Sequence, residues 1–226
     1  DLRVQHILRD ELLAAIERYQ AIAATGIVLD VRTGEVLAMS SYPDFDPNDP
    51  VDALKPDRLN RMSAGAFEVG SVFKSFTFAM ALEDGVVTLD DSIDATRPIR
   101  VGRFTINDFH GKHRVLTVPE VFIYSSNIGS ARMALMVGGE RQKAFLDKLG
   151  FMRKVDTDLP EVAAPIMPKK WSELTTMTVA FGHGMAVTPL QVAVADAALV
   201  NGGRLIPPTF LKRTDADAER IAQQVG

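Results

Sequence analysis

Val4, Leu8, Leu12 and Ile16 recur every four residues along Leu2–Tyr19, and Ile7 and Leu13 widen the stripe, so the segment predicts an amphipathic helix with one packing face. The period then changes. Gly26–Val31 and Glu35–Ser40 are short apolar runs separated by Arg32-Thr33-Gly34, which predicts two core strands joined as a hairpin. Proline and aspartate crowd residues 41–50 and stop both kinds of element. From Val72 to Leu82 the chain is apolar almost all the way round, the pattern of a helix buried in a domain, and it should end near Asp84-Gly85. Val86–Arg114 reads as irregular, with extended pieces at Ile99–Val101 and Phe104–Ile106.

Helical signals dominate the second half of the chain. Thr117, Pro119 and Glu120 form a capping box for a helix through Tyr124 that breaks at Ser125-Ser126-Asn127. Further helices are predicted through Ala131–Val137, stopping at Gly138-Gly139, and through Glu140–Leu149, stopping at Gly150. Residues 151–170 read as irregular. Thr188-Pro189-Leu190-Gln191 opens a helix that runs to Asn201-Gly202-Gly203, and a polar helical piece is expected over Asp215–Gln224. There is no repeat or low-complexity linker, so residues 1–226 read as one domain. Its parts are a helix and hairpin within 1–50, a buried helix over 71–84 and a helical lobe over about 115–200, with fewer strands than a complete mixed domain would carry.

Composition narrows the partners. A net charge of −4 gives no basic surface for a phosphate backbone, so nucleic acid is not expected. No apolar run is long enough to cross a bilayer, and Asp1-Leu2-Arg3-Val4-Gln5 does not resemble a signal peptide, so the chain is expected to be soluble as it stands, even if cut from something anchored. The absence of cysteine excludes disulfides, thiolate catalysis and cysteine zinc sites. His110 and His113 are three apart, but Gly111 marks a loop and no second cluster supplies more ligands, so neither a metal nor a cofactor is expected.

The buried helix carries the candidate chemistry. Ser71 and Lys74 sit one turn apart in an apolar setting rich in phenylalanine. Burial disfavours a charged lysine, and a neutral amine can accept a serine proton where a solvated ammonium cannot. Gly70 marks the start of the helix, so its positive end would favour negative charge on the Ser71 oxygen. A Ser-x-x-Lys string by itself is common; its apolar surroundings set this one apart. Ser125 and Asn127 add a second hydroxyl and a carboxamide at a helix break, where side chains point into clefts.

Together these strings resemble the transpeptidase domain of penicillin-binding proteins, which shares Ser-x-x-Lys, Ser-x-Asn and Lys-Thr-Gly motifs with the serine β-lactamases. Gly26–Met39 looks like the opening hairpin of that family, Tyr42–Asn48 like the segment after it, and Phe181–Gln191 like its later glycine-threonine-proline signature. The matches run in family order from about Asp1 to about Pro208, and the likeness is greatest to the class B, division-specific type. Val69 departs from a proline common at that place. The resemblance implies an α/β (α+β) fold of the DD-peptidase and serine β-lactamase kind, an antiparallel sheet flanked by helices plus an all-helical lobe. It implies that Ser71 attacks the penultimate D-alanine of a stem peptide, that Lys74 takes its proton, that Ser125 relays a proton to the leaving amine, and that Asn127 binds the peptide amide. The implied partners are peptidoglycan stem peptides, β-lactam antibiotics and other cell-division membrane proteins. The implied place is the periplasmic or extracytoplasmic face of the bacterial inner membrane, with the anchor outside this stretch.

Lys-Thr-Gly does not occur; Arg32-Thr33-Gly34 precedes the serine and belongs to a hairpin turn. The reading is a chain truncated before that motif and lacking the C-terminal sheet strands, hence weakly active or inactive with penicillin by itself, since one oxyanion donor is worth on the order of a hundredfold. The alternatives are a serine β-lactamase, a non-catalytic β-lactam-binding sensor or scaffold domain, and an unrelated helical binding domain.

Overall fold

The computed structural model describes residues 1–225. Helix α1 (Leu2–Tyr19) leads into strands β1 (Ala24–Leu29) and β2 (Val36–Tyr42). Helix α2 (Lys74–Glu83) precedes four three-residue strands: β3 (Ser92–Asp94), β4 (Ile99–Val101), β5 (Phe104–Ile106) and β6 (Val115–Thr117). Helices α3 (Val118–Ile123), α4 (Asn127–Val137), α5 (Gly139–Lys148), α6 (Glu173–Val179) and α7 (Pro189–Val200) come next, then β7 (Arg204–Leu205), α8 (Asp215–Ile221) and β8 (Gln223–Gln224). Every sheet among the described residues is an antiparallel pair: β1 with β2, β3 with β6, β4 with β5 and β7 with β8. No helix among them is long and apolar enough to cross a membrane.

The chain divides into two compact units. One unites residues 1–67, 149–165 and 187–226. In it α1 lies along the β1–β2 hairpin, and the Gln5 carboxamide both donates to the Met39 carbonyl at 2.9 Å and accepts from the Met39 N–H at 3.0 Å. Val4, Leu8, Leu12 and Ile16 are half-buried as the stripe requires, but Ile7 and Leu13 are exposed. A two-stranded hairpin covers a narrower face than six apolar positions would fill. Met62, Leu190 and Val194 centre this core, with Ile27, Leu29 and Met39 packed against them.

Capping decides where α7 begins. Thr188 accepts from the Gln191 N–H, the Gln191 side chain accepts from the Thr188 N–H, and Pro189 occupies a first-turn position that needs no donor. The last polar helix is shorter than its sequence suggests. Ala222 is extended, and Gln223–Gln224 leaves the helix to pair with Arg204–Leu205.

The second unit unites residues 68–148 and 166–186. Thr117 and Glu120 make the expected capping box of α3, and Ile99–Val101 and Phe104–Ile106 form a hairpin. Around α4 pack α2, α5 and α6. Ile106, Ala131 and Met177 are the buried centre of one core cluster, and Phe73, just before α2, packs edge to face at 5.2 Å on Phe76 within it, below the candidate serine. Helix α6 has no counterpart in the sequence pattern. Its run Thr175-Thr176-Met177-Thr178 has poor helix propensity, and the burial of Thr176, Met177 and Val179 overrides it.

Candidate active site

All four sequence-predicted site residues fall in the second unit. Ser71 is not on an α-helix: Gly70–Phe73 is a tighter 3₁₀ turn, and α2 continues from Lys74. Three residues per turn make side chains at i and i+3 eclipse, so the turn brings Ser71 Oγ to 3.0 Å from Lys74 Nζ. The turn is set from outside. Gly70 has φ +62° and donates its N–H to the Gly182 carbonyl at 3.2 Å. Gly182, at φ +76°, lies so close that an added Cβ would sit 2.1 Å from the Gly70 oxygen. Glu68 ties the same segment down, accepting the Gly184 N–H at 2.8 Å and pairing with His183 Nδ1 at 2.9 Å.

This packing yields a stability prediction. Gly182→Ala meets both a backbone clash and an unfavourable φ and should lose about 3 kcal/mol or more by denaturant unfolding. Gly85→Ala, at φ +68° with nothing within 4 Å, should lose only about 1 kcal/mol. Equal losses would show that the Gly70–Gly182 approach is not a constraint.

Lys74 is only 2% exposed, whereas Ser71 and Ser125 both reach solvent. Its Nζ lies 2.8 Å from Ser125 Oγ, 2.6 Å from the Ser125 carbonyl and 2.8 Å from Asn127 Oδ1, besides Ser71. An ammonium has three N–H bonds for these four oxygens. A neutral amine gives its two N–H bonds to the carbonyl and to Asn127 Oδ1, which only accept, and keeps a lone pair for a hydroxyl proton. Burial pushes the amine down to about 8, and the charge of Asp108 partly opposes it.

The loop before α4 is held at both faces. Ser125 takes a left-handed conformation, φ +52°, uncommon for serine. Ser126 caps α4 by accepting the Gly129 N–H at 2.9 Å. Asn127 Nδ2 donates to the Asn107 carbonyl at 2.9 Å, which fixes its amide so that Oδ1 faces Lys74. Asp108 grips the loop through Ser126 and the Ile128 N–H. Beside Asn127 opens a cavity of about 580 Å³ whose walls include Phe104, Ile106, Leu174, Phe181 and His183. The arrangement is suited to nucleophilic chemistry: an exposed hydroxyl on a buried amine, a second exposed hydroxyl on the same nitrogen, and an oriented carboxamide.

Sequence reasoning did not single out Glu68, Asn107, Asp108 or His183 as part of this constellation. The local signal was slight: Asn107-Asp108 is a polar pair directly after an extended piece, a place where a strand hands over to a loop. The penicillin binding protein transpeptidase domain, as a family model, matches residues 24–225. The chain belongs to this family. It is 44% identical over 212 residues, 94% of its length, to a probable peptidoglycan D,D-transpeptidase FtsI of Caulobacter vibrioides, of which it covers 36%. The chain thus spans just over a third of that curated relative.

Two solved structures cover the whole chain at 30% identity. One is a peptidoglycan glycosyltransferase from Burkholderia ambifaria, with a TM-score of 0.87 over 67% of its chain. The other is the transpeptidase domain of Burkholderia pseudomallei penicillin-binding protein 3 without ligand, with a TM-score of 0.86 over 64% of its chain. The mixed α/β architecture expected of the transpeptidase family is therefore present.

Proposed function

We propose that the protein is a serine-type peptidoglycan D,D-transpeptidase and a target of β-lactams, with Ser71 as nucleophile. One observation carries the reading: the Lys74 amine, all but excluded from solvent, is within 3.0 Å of both the Ser71 and the Ser125 hydroxyls. Lys74 takes the Ser71 proton as the serine oxygen bonds to the carbonyl of the penultimate D-alanine. Ser125 passes a proton to the amine of the terminal D-alanine as that C–N bond breaks and is reprotonated by the Lys74 ammonium, leaving an ester on Ser71 and a neutral lysine. An amine from a neighbouring stem peptide then attacks the ester, releasing the serine and completing the cross-link. Asn127, its amide oriented by Asn107, hydrogen-bonds the bound peptide or a β-lactam in the same place.

The relative named a probable peptidoglycan D,D-transpeptidase supports the peptidoglycan substrate; the resemblance to the division-specific type extends the proposal to septal cross-linking, outside the cytoplasm and beside other cell-division membrane proteins. No Lys-Thr-Gly string occurs in the chain, so the group that receives the substrate carboxylate is not assigned. A serine β-lactamase is disfavoured because Glu68, the nearest carboxylate in sequence to Ser71, is engaged by His183 and Gly184. A sensor that holds β-lactams only reversibly gains nothing from a lysine held partly unprotonated.

The test is mass spectrometry of the protein in which the chain occurs, after exposure to a fluorescent penicillin and trypsin. The adduct is expected on the peptide Met62–Lys74, at Ser71. An adduct confined to another peptide would reject the assignment. The pocket residues give a milder prediction. Asn127→Ala should slow acylation by roughly tenfold to a hundredfold, because it removes both a substrate contact and an acceptor that holds Lys74. Stopped-flow labelling rates measure it, and an unchanged rate would exclude the contact.

A further inference from the structure

Asp108 lies outside the set of residues that reach the reacting atoms, yet it holds the loop that carries two of them. Its Oδ2 accepts the Ser126 hydroxyl at 2.8 Å and its Oδ1 accepts the Ile128 N–H at 2.9 Å. The two bonds bracket Asn127 and begin immediately after Ser125. Both carboxylate oxygens are used, which fixes orientation as well as distance. The Ser126 side chain is buried, so losing Asp108 would leave its O–H proton without an acceptor away from water, although its oxygen still accepts the Gly129 N–H, and would favour rearrangement of the loop. Ser125 sits in a left-handed conformation that an unheld serine would leave.

We infer that Asp108 is a positioning residue for acylation: it fixes the loop so that Ser125 presents both its hydroxyl and its carbonyl to Lys74. The inference rests on the acylation reading of Ser71. Asp108 acts in a second way through its charge. From the elements packed around it Lys74 faces Ser71, Ser125 and Asn127, all uncharged, and Asp108 is the charge that raises its proton affinity against burial. Removing that charge should therefore move the acid limb of the acylation profile to lower pH, while the loosened loop lowers the plateau. A residue that served folding alone would leave the acid limb where it is.

The experiment compares Asp108→Asn, Ser126→Ala and the unsubstituted protein in which the chain occurs, using the rate of labelling by a fluorescent penicillin from about pH 6 to pH 10. Asp108→Asn is expected to lower the plateau roughly tenfold to a hundredfold and to carry its limb to lower pH. Ser126→Ala keeps the charge and loses one of the two grips, so it should lower the plateau about tenfold with the limb in place. An unchanged plateau or an unmoved limb in Asp108→Asn overturns the inference. If Asp108→Asn does not fold, an unchanged plateau in Ser126→Ala overturns it alone. Failure to label Ser71 in the unsubstituted protein overturns the acylation reading itself and needs no variant to be seen.

Discussion

Ser71→Ala should abolish covalent labelling by penicillin, with a loss on the order of 10⁴-fold or more in acylation rate, because no second hydroxyl is placed to replace the nucleophile. Ser125 shares the lysine, but it lies in a left-handed turn across the amine and not at the start of the helix. Stability should hardly change. The Ser71 side chain is exposed and bonds to the Lys74 amine, which keeps its three other oxygen partners in the variant, so unfolding free energy is expected to stay within about 0.5 kcal/mol of the parent. Reversible binding of a β-lactam should persist, visible as a thermal shift without a covalent adduct. Labelling of the variant at the parental rate would remove Ser71 from the reaction.

The second large effect belongs to Lys74. With the amine held at about 8, roughly a tenth of it is unprotonated at neutral pH. At the ordinary lysine value the fraction would be on the order of a few in ten thousand, so burial raises the supply of base by about a hundredfold or more. Below pH 8 the amine is mostly charged and the fraction able to take the serine proton shrinks, so the acylation rate should rise with pH through that region and then level off. Lys74→Arg keeps a donor near the Ser125 carbonyl but holds its proton at every accessible pH. Its rate should fall by roughly 10³-fold and lose the inflection. Pre-steady-state labelling across pH measures both. An inflection that survives in Lys74→Arg would place the base elsewhere.

Much of this was legible in the residues because local chemistry and final structure agree there. The capping pairs Thr117–Glu120 and Thr188–Gln191 announce their helices, and structure adds only the hydrogen bonds. Ser71 and Lys74 were readable as a pair since three residues on a helix share a face whatever the rest of the chain does. The 3₁₀ form of their turn was not readable, because it depends on Gly182, more than a hundred positions away. Asp108 escaped for the same reason: an aspartate after a strand has many uses, and only the folded chain sets it against Ser126. The threonine-rich α6 and the two-residue strand at Gln223–Gln224 owe their form to burial and pairing, which propensity does not encode.

The close approach of Gly70 and Gly182 has an evolutionary reading. Gly182 supports the serine from behind without lining the cavity, so on the proposed acylation reading a change there retunes how fast a drug reacts while leaving the pocket-wall side chains untouched. Surveys of reduced antibiotic susceptibility in such proteins should therefore score this buttress alongside the pocket walls.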